Sequence, residues 1–581
     1  MENKRSSFGS NFGFLMAAIG SAVGLGNIWG FPYKMGKSGG FAFLVIYLVL
    51  AVIVGLTIMS SELALGRKTG TGVVGAYKAV SKKYKWVGWL GIISPFLIMS
   101  FYSVLGGYCV QYMCLNLAEL GFGLSNIFGA AITGSNTFSA MLTNQFGCAI
   151  FTLLFLGYCM YIVMRGIGGG IEKFNKVGMP ALVVMLLIVI IRAVTLPNAI
   201  EGLKFMFVPG YAVKAGFIDE APSFITVLGT AGGQMFFSLS LAMGAMITYG
   251  SYLGKKENLV KNSGIIVVSD TLVALMAGLA VIPAAVANGI NSGIPVNEIT
   301  LGGPKLLFVT LQDVFSSMGP TGPVFGTIFY LLVIIAAVSS AISLMEVIAA
   351  YFIDKRAALG KSNDRTKIVL WVALAILVEA LLVSVDGLGA NGVWVPFQKT
   401  LGVDTWNDCW LDFMDCLSEG IAMPLGAMLM ALMVGWELKP DFLLDEIHSG
   451  EKSKFFDGFY RVCLKWLVAP IMALVLAGQL MDFFTKVNSG ILYGIAFGVL
   501  AVFIVYTFVG SKKTDTIKKQ SALSLSLSEA PAGNCRGVGY SYAAQHAAGV
   551  RFLVICGVLR KKSVKKFTFV DSRFHRLYNI I

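Results

Sequence analysis

The sequence predicts an all-α integral membrane protein of about twelve transmembrane helices, built from two five-helix repeats in which the first helix of each repeat is broken. Three observations carry that prediction. Apolar, nearly uncharged runs recur along almost the whole chain, the loops between them alternate between strongly basic and base-poor, and the first and sixth runs are interrupted at corresponding places.

The chain has 581 residues, of which 56% are hydrophobic and 13% charged, with a mean hydropathy of +0.76. A soluble domain of ordinary size has too little interior to hide that much apolar surface. An apolar run of about 18 residues or more crosses a hydrocarbon core of roughly 30 Å as a helix, and in doing so satisfies every backbone N–H and C=O within the segment. Such runs fall at about 11–36, 41–65, 87–116, 146–164, 176–196, 223–253, 263–290, 322–352, 367–386, 413–436, 459–484 and 488–510. The first contains Gly-Leu-Gly and Phe-Pro after Phe12 and no small-residue cleavage site, so it reads as a span and not as a signal peptide.

The net charge is +14; residues 511–581 hold 13 of the 45 Lys and Arg against three acids, and the basic residues before them sit mainly in short loops between the spans. Lys4 and Arg5 precede the first span, and Arg67, Lys68, Lys78, Lys82, Lys83 and Lys85 follow the second. Further clusters lie at Arg165/Lys173/Lys176, Lys255/Lys256/Lys261, Lys355/Arg356/Lys361/Arg365/Lys367 and Lys452/Lys454. The stretch from Asn116 to Gly147 has no Lys or Arg, and that from Gly387 to Asp412 has only Lys399. The positive-inside rule therefore places both termini in the cytoplasm, and the basic excess calls for no nucleic-acid partner. The nine Cys match no metal-binding spacing. Cys148, Cys409 and Cys416 lie near the outer face, where a disulfide stays open, and His448, His546 and His575 are too scattered for a zinc site.

Gly20-Ser-Ala-Val-Gly-Leu-Gly-Asn27 interrupts the first span and Phe237-Ser-Leu-Ser-Leu-Ala-Met-Gly244 the sixth. Matching breaks in two halves of five spans point to an inverted repeat with a binding site at the breaks; the plainer reading of Gly24 and Gly26 is close helix packing. The expected organisation is one domain over 1–510, with a first repeat at about 11–196, a second at about 223–436 and two extra helices at about 459–510. Residues 511–581 open with the basic stretch Lys512–Lys519 and the low-complexity Ser521-Ala-Leu-Ser-Leu-Ser-Leu-Ser. They read as a cytoplasmic tail, disordered or not native, with no assigned role.

Four blocks carry a resemblance: GSAVGLGNIWGFPY (Gly20–Tyr33), SELALGR (Ser61–Arg67), RGIGGGIEKFNKVGMP (Arg165–Pro180) and GQMFFSLSLAMGAMITYGSY (Gly233–Tyr252). In this order they resemble the neurotransmitter:sodium symporter family and its bacterial, LeuT-like amino-acid transporters, over residues 5–510. The resemblance implies a LeuT-type 5+5 inverted repeat in the bacterial inner membrane. It implies sodium-coupled symport of a neutral, hydrophobic or aromatic amino acid into the cell by alternating access.

By the same resemblance the first sodium falls on the carbonyl of Ala22 with Asn27, Ser238 and Asp270. The second falls on the carbonyls of Gly20, Val23 and Ala336 and the hydroxyls of Ser339 and Ser340. A carboxylate deep in a span is costly and functional by default. Asp270 supplies a fixed negative charge beside the first sodium, so chloride is not required. Gly24 stands where amine-transporting relatives carry Asp, which leaves room for a substrate carboxylate near the N–H groups of Leu25 and Gly26, with Tyr102 bonding it. The side-chain pocket this implies is Ile98, Phe237, Ser240, Met243 and Leu344, apolar with one hydroxyl, and Ser238 is expected to serve the substrate as well as the first sodium. Arg5 and Asp354 match the cytoplasmic gate pair, Glu62 is expected to hold the unwound sixth helix, and Gly170 with Pro180 permits unwinding of the fifth span. The chain departs from the family at Gly30, where an Arg usually meets the acid matched by Asp415. Lys34, one turn on, is the nearest cation to stand in over Asp415.

Two other classes would demand other features. A channel needs a continuous polar lining and a non-transporting sensor needs only the binding site, whereas an intramembrane enzyme needs a catalytic pair. Asp270, Glu346 and Asp415 are well separated and no nucleophile–base motif accompanies them. The sequence leaves the oligomeric state open.

Overall fold

The computed structural model describes residues 7–121, 134–299, 301, 303–396, 409–448, 454–484 and 488–528. Two compact units divide the chain, Met1–Thr516 and Ile517–Ile581, and the sites described below lie in the first. Among the described residues, ten helices are long and apolar enough to cross a membrane: Phe41–Thr69, Lys82–Glu119, Gln145–Met164, Ile167–Val194, Leu259–Asn291, Gly319–Ala358, Arg365–Asp386, Trp410–Glu437, Phe455–Phe483 and Ser489–Phe508. An eleventh span is the pair Asn11–Ala22 and Gly26–Lys37, bent by 45°. The sixth run of the sequence is two helices, Phe224–Ser238 and Ala245–Gly250, with irregular backbone between. Neither half spans a bilayer alone, which is why a count by helix length falls one short of twelve.

The spans begin where local chemistry permits. Ser10, Ser223, Asn258 and Asp364 cap their helices by accepting from the N–H three residues on, which satisfies donors that the helix itself leaves free. Gly166 takes φ +81°, and the wide-turn segment Ile167–Glu172 follows it into the fifth span.

Burial sorts the spans into a centre and a periphery. The windows of Lys82–Glu119 and Gly319–Ala358 are 78% buried and that of Trp410–Glu437 is 83%, against 22% for Ser489–Phe508. The third and eighth spans pack along each other, and the lower half of the first lies against the fifth, seventh and eighth. The broken segments therefore occupy the protein interior, where unpaired backbone meets protein and not lipid.

The last helix runs to Ser528, past the boundary expected at 510. Residues 529–581 and Arg5 lie outside the described residues. Cys148, Cys409 and Cys416 are free thiols, so the disulfide left open above is not made.

Candidate functional site

The break in the first span starts where Ala22 ends its helix and Val23 turns to an extended ψ of 101°. The glycines around it sit against other elements. A Cβ on Gly20 would lie 2.0 Å from Asn175 Oδ1, one on Gly24 would lie 2.2 Å from Ser340 Oγ and 2.4 Å from the Tyr102 hydroxyl, and one on Gly26 would lie 2.7 Å from Phe237 Cδ1. Close packing and the candidate site coincide here, because, Asn175 apart, the groups that crowd the glycines are candidate site residues.

In the sixth span, Ser240 (φ +53°), Ala242 (φ +59°) and Gly244 (φ +77°) all adopt the left-handed region, which costs a non-glycine residue roughly 1–2 kcal/mol. Four contacts hold the strain. Ser240 Oγ donates to Ser21 O (2.7 Å), the Ala242 N–H to Glu62 Oε1 (2.7 Å), the Leu241 N–H to Phe236 O (3.0 Å) and Gln234 Nε2 to Gly26 O (2.7 Å). Glu62 thus meets the unwound helix, with only 1% of its surface exposed.

Two polar clusters lie beside the breaks. In the first, Asn27 Nδ2 donates to Asp270 Oδ1 (2.7 Å) and to Ser238 Oγ (3.0 Å), while Asn27 Oδ1 accepts from the Gly24 N–H (3.0 Å). Ser238 Oγ donates to Asp270 Oδ2 (2.8 Å), which also accepts from the Tyr47 hydroxyl (3.3 Å). Asn27, Ser238 and Asp270 are wholly buried. One carboxylate therefore ties the first, sixth and seventh spans. In the second cluster, Ser339 Oγ contacts Val23 O (3.2 Å) and Ala336 O (2.7 Å), and Ser340 Oγ contacts Gly20 O (3.2 Å) and Ser21 O (2.9 Å). Gly20, Val23, Ala336, Ser339 and Ser340 are brought to one place. Ala22 stands between the clusters, buried, at the end of its helix.

The Leu25 N–H donates to the Tyr102 hydroxyl (2.9 Å). The space expected beside Gly24 is filled by the Tyr102 and Ser340 hydroxyls, so the glycine makes room for protein oxygens. Phe237 faces Tyr102 with ring centroids 6.4 Å apart. Ile98, Ser240, Met243 and Leu344 are all buried. Outward of Phe237 is a cavity of about 30 Å3 lined in part by Gly30, Lys34, Gln234, Asp415 and Glu419, room for roughly one water.

The outer pair differs from expectation. Lys34 Nζ meets Glu419 Oε1 and not Asp415, and lies 5.9 Å from the Phe237 ring centroid. The reason is the direction in which helical side chains lean. Each points toward its own helix N-terminus, and the two spans run oppositely, so Lys34 swings back over Gly30 while Glu419 swings out toward it. Asp415 lines the same cavity. Glu419 was missed, although a second carboxylate four residues after Asp415 inside a span was a visible signal.

At the end carrying the Lys-rich loops, Asp354 Oδ2 accepts from the Gly72 N–H (2.7 Å). Glu346, treated above as isolated, accepts from the Tyr252 hydroxyl (2.8 Å) and pairs with Arg365, whose Nε donates to Val163 O (2.9 Å). Glu172 Oε2 accepts from the Gly9 N–H (2.9 Å) at the foot of the first span.

Two broken helices facing each other across buried oxygen clusters, halfway along their spans, define a secondary transporter. A model of the sodium:neurotransmitter symporter family matches residues 5–124 and 142–512. This chain belongs to that family and is a sodium-dependent multi-pass membrane symporter. It is 32% identical over 479 residues to the sodium-dependent transporter YhdH of Bacillus subtilis, covering 82% of this chain and 97% of that one. It is 29% identical over 537 residues to the sodium-dependent transporter MJ1319 of Methanocaldococcus jannaschii, covering 88% and 98%. The crystal structure of MhsT in complex with L-phenylalanine matches with a TM-score of 0.68 at 32% identity, over 82% of this chain and 100% of that chain. The fold is thus that of the LeuT-type transporters.

Proposed function

We propose that this protein symports a neutral, hydrophobic or aromatic amino acid with two sodium ions, independently of chloride, across the bacterial inner membrane with both termini in the cytoplasm. The observation that carries this reading is the position of Asp270. A wholly buried carboxylate bonded by Asn27, Ser238 and Tyr47 leaves a negative charge beside the first break, and the Nδ2 of Asn27 stands where a cation would compete for it. A sodium ion there would draw on Asp270, Ser238, Asn27 and the carbonyl of Ala22. A second would draw on the carbonyls of Gly20, Val23 and Ala336 with Ser339 and Ser340. The second set is all hard oxygen, and the first becomes so once the Asn27 amide turns its Oδ1 from the Gly24 N–H to the ion, which suits an alkali cation.

The substrate carboxylate is assigned to the N–H groups of Leu25 and Gly26 and to Tyr102, and its side chain to Ile98, Phe237, Ser240, Met243 and Leu344. The apolar lining, with one hydroxyl and an adaptable Met, favours a large uncharged side chain, and the similarity to a protein crystallised with L-phenylalanine supports the same class. Lys34 with Glu419, and Asp415 beside them, are assigned to the outer gate; Arg5 and Asp354 are assigned to the inner one. The two repeats are assigned the boundaries given above, and the tail is assigned to follow the last helix, which runs to Ser528. The test is uptake of labelled L-phenylalanine into proteoliposomes under an imposed sodium gradient, with the other amino acids as competitors.

A further inference from the structure

Sodium and substrate leave one built feature unused. Where Trp410–Glu437, Phe455–Phe483 and Ser489–Phe508 converge, at the end that carries the Lys-rich loops, lies an open cavity of about 110 Å3. Its walls are mainly apolar, Leu432, Pro470 and Ile504 among them. One side is an aromatic cradle: the rings of Trp436 and Trp466 meet edge to face with centroids 4.9 Å apart, and Phe508 lies 5.8 Å from Trp436. The Lys465 ammonium sits 5.2 Å and 5.1 Å from the two indole centroids. Trp436 Nε1 donates to the Lys465 carbonyl (2.9 Å) and fixes the indole in place.

Lys465 has no carboxylate in ion-pair range among the described residues. Asp457, the nearest acid along the chain, faces His448 (2.6 Å), Glu437 beside Trp436 is engaged by Lys83 (3.3 Å), and Asp441 is engaged by Arg461 (2.7 Å). Trp466 and Phe508 are 56% and 52% exposed, on the face that meets lipid. A lysine on a span is tolerated where its ammonium reaches the membrane interface, and tryptophans settle at the same level. An unpaired cation over an apolar cavity at that depth calls for an occupant with a negative head and a hydrocarbon tail. A helix from a second copy is about 10 Å across and does not fit the cavity.

We propose that this cavity binds an anionic glycerophospholipid of the surrounding leaflet, its phosphate on Lys465 and one acyl chain between the tenth, eleventh and twelfth spans. Basic pockets between spans on this side of a membrane recognise such headgroups. The site is separate from the transport machinery and does not depend on the substrate assigned to it.

The test is native mass spectrometry of the full chain released from detergent micelles, with phosphatidylglycerol and phosphatidylcholine of identical acyl chains added in equal amounts. The intact protein should retain phosphatidylglycerol about fivefold over phosphatidylcholine, the ratio that ~1 kcal/mol per basic residue at an anionic surface corresponds to. Lys465→Gln should erase the preference and Lys465→Arg should keep it. Equal retention of the two lipids, a preference that survives Lys465→Gln, or a dimer that carries no lipid would each overturn the proposal. Should Lys465→Gln fail to fold, Ile504→Trp fills the cavity with the lysine intact, and an undiminished preference there is equally contrary.

Discussion

Gly24→Ala adds one methyl group at the most crowded point of the site. Its carbon would stand 2.2 Å from Ser340 Oγ and 2.4 Å from the Tyr102 hydroxyl, whereas carbon–oxygen contacts settle near ~3.3 Å, so each hydroxyl must retreat by about 1 Å. That movement breaks the Tyr102 bond to the Leu25 N–H (2.9 Å) and the Ser340 bond to Ser21 O (2.9 Å). Two hydrogen bonds at about 1 kcal/mol each, with about 1–3 kcal/mol for overpacking, give about 3–5 kcal/mol. Expressed in the sodium- and substrate-binding conformation, that is roughly a hundredfold to a few thousandfold in affinity. Gly24→Asp adds a like charge beside the substrate carboxylate, a further ~4 kcal/mol at about 4 Å and an effective dielectric near 20. Calorimetric titration of L-phenylalanine at saturating sodium should therefore rank the intact chain, the Ala variant and the Asp variant in falling order of affinity. Wild-type affinity in Gly24→Ala would refute the assignment of this break as the site, and identical losses in Ala and Asp would refute the charge argument alone.

Four further outcomes are expected. Replacing chloride with gluconate should leave uptake unchanged, because Asp270 already supplies the negative charge; strong chloride dependence would remove that role from Asp270. Lys34→Ala and Glu419→Gln should each speed outward substrate release by up to about fivefold, as a pair worth about 1 kcal/mol allows, and the double variant should add nothing. Glu62→Ala leaves the Ala242 N–H buried without its acceptor, a cost of about 1–3 kcal/mol, and should lower the melting temperature in detergent. Glu446, in the loop after the tenth span, is desolvated by burial, which alone would raise its pKa, but Lys255 (2.8 Å) and Arg67 (2.8 Å) outweigh that and hold it below its ordinary value. Its ion pairs therefore stabilise the fold above pH ~4.3 and lose that contribution as pH falls through the depressed value, so Glu446→Gln should destabilise at pH 7 by more than at pH 4.

The fold was largely legible because a bilayer imposes length, apolarity and charge placement on each span. The interruptions at Gly20–Asn27 and Phe237–Gly244 were legible as well, since glycine and serine in mid-span have few purposes. What stayed hidden depends on distant partners. The left-handed backbone at Ser240 and Ala242 has no local signature, because Ser21 and Glu62 supply the bonds that hold it. Nothing in the spacing of Lys34 announces Glu419, 385 residues away; their meeting follows from antiparallel helices whose side chains lean toward their own N-termini. The crowding at Gly24 was misjudged for the same reason, since the hydroxyls that fill it come from the third and eighth spans.

The most direct test of the central claim, sodium-coupled symport of an apolar amino acid, is uptake of labelled L-phenylalanine into chloride-free proteoliposomes with sodium outside and potassium inside. The account predicts accumulation above the external concentration that collapses when the sodium gradient is dissipated and returns when it is restored. Equilibration without sodium would indicate a channel, and sodium-dependent binding without accumulation a sensor; either result contradicts the account.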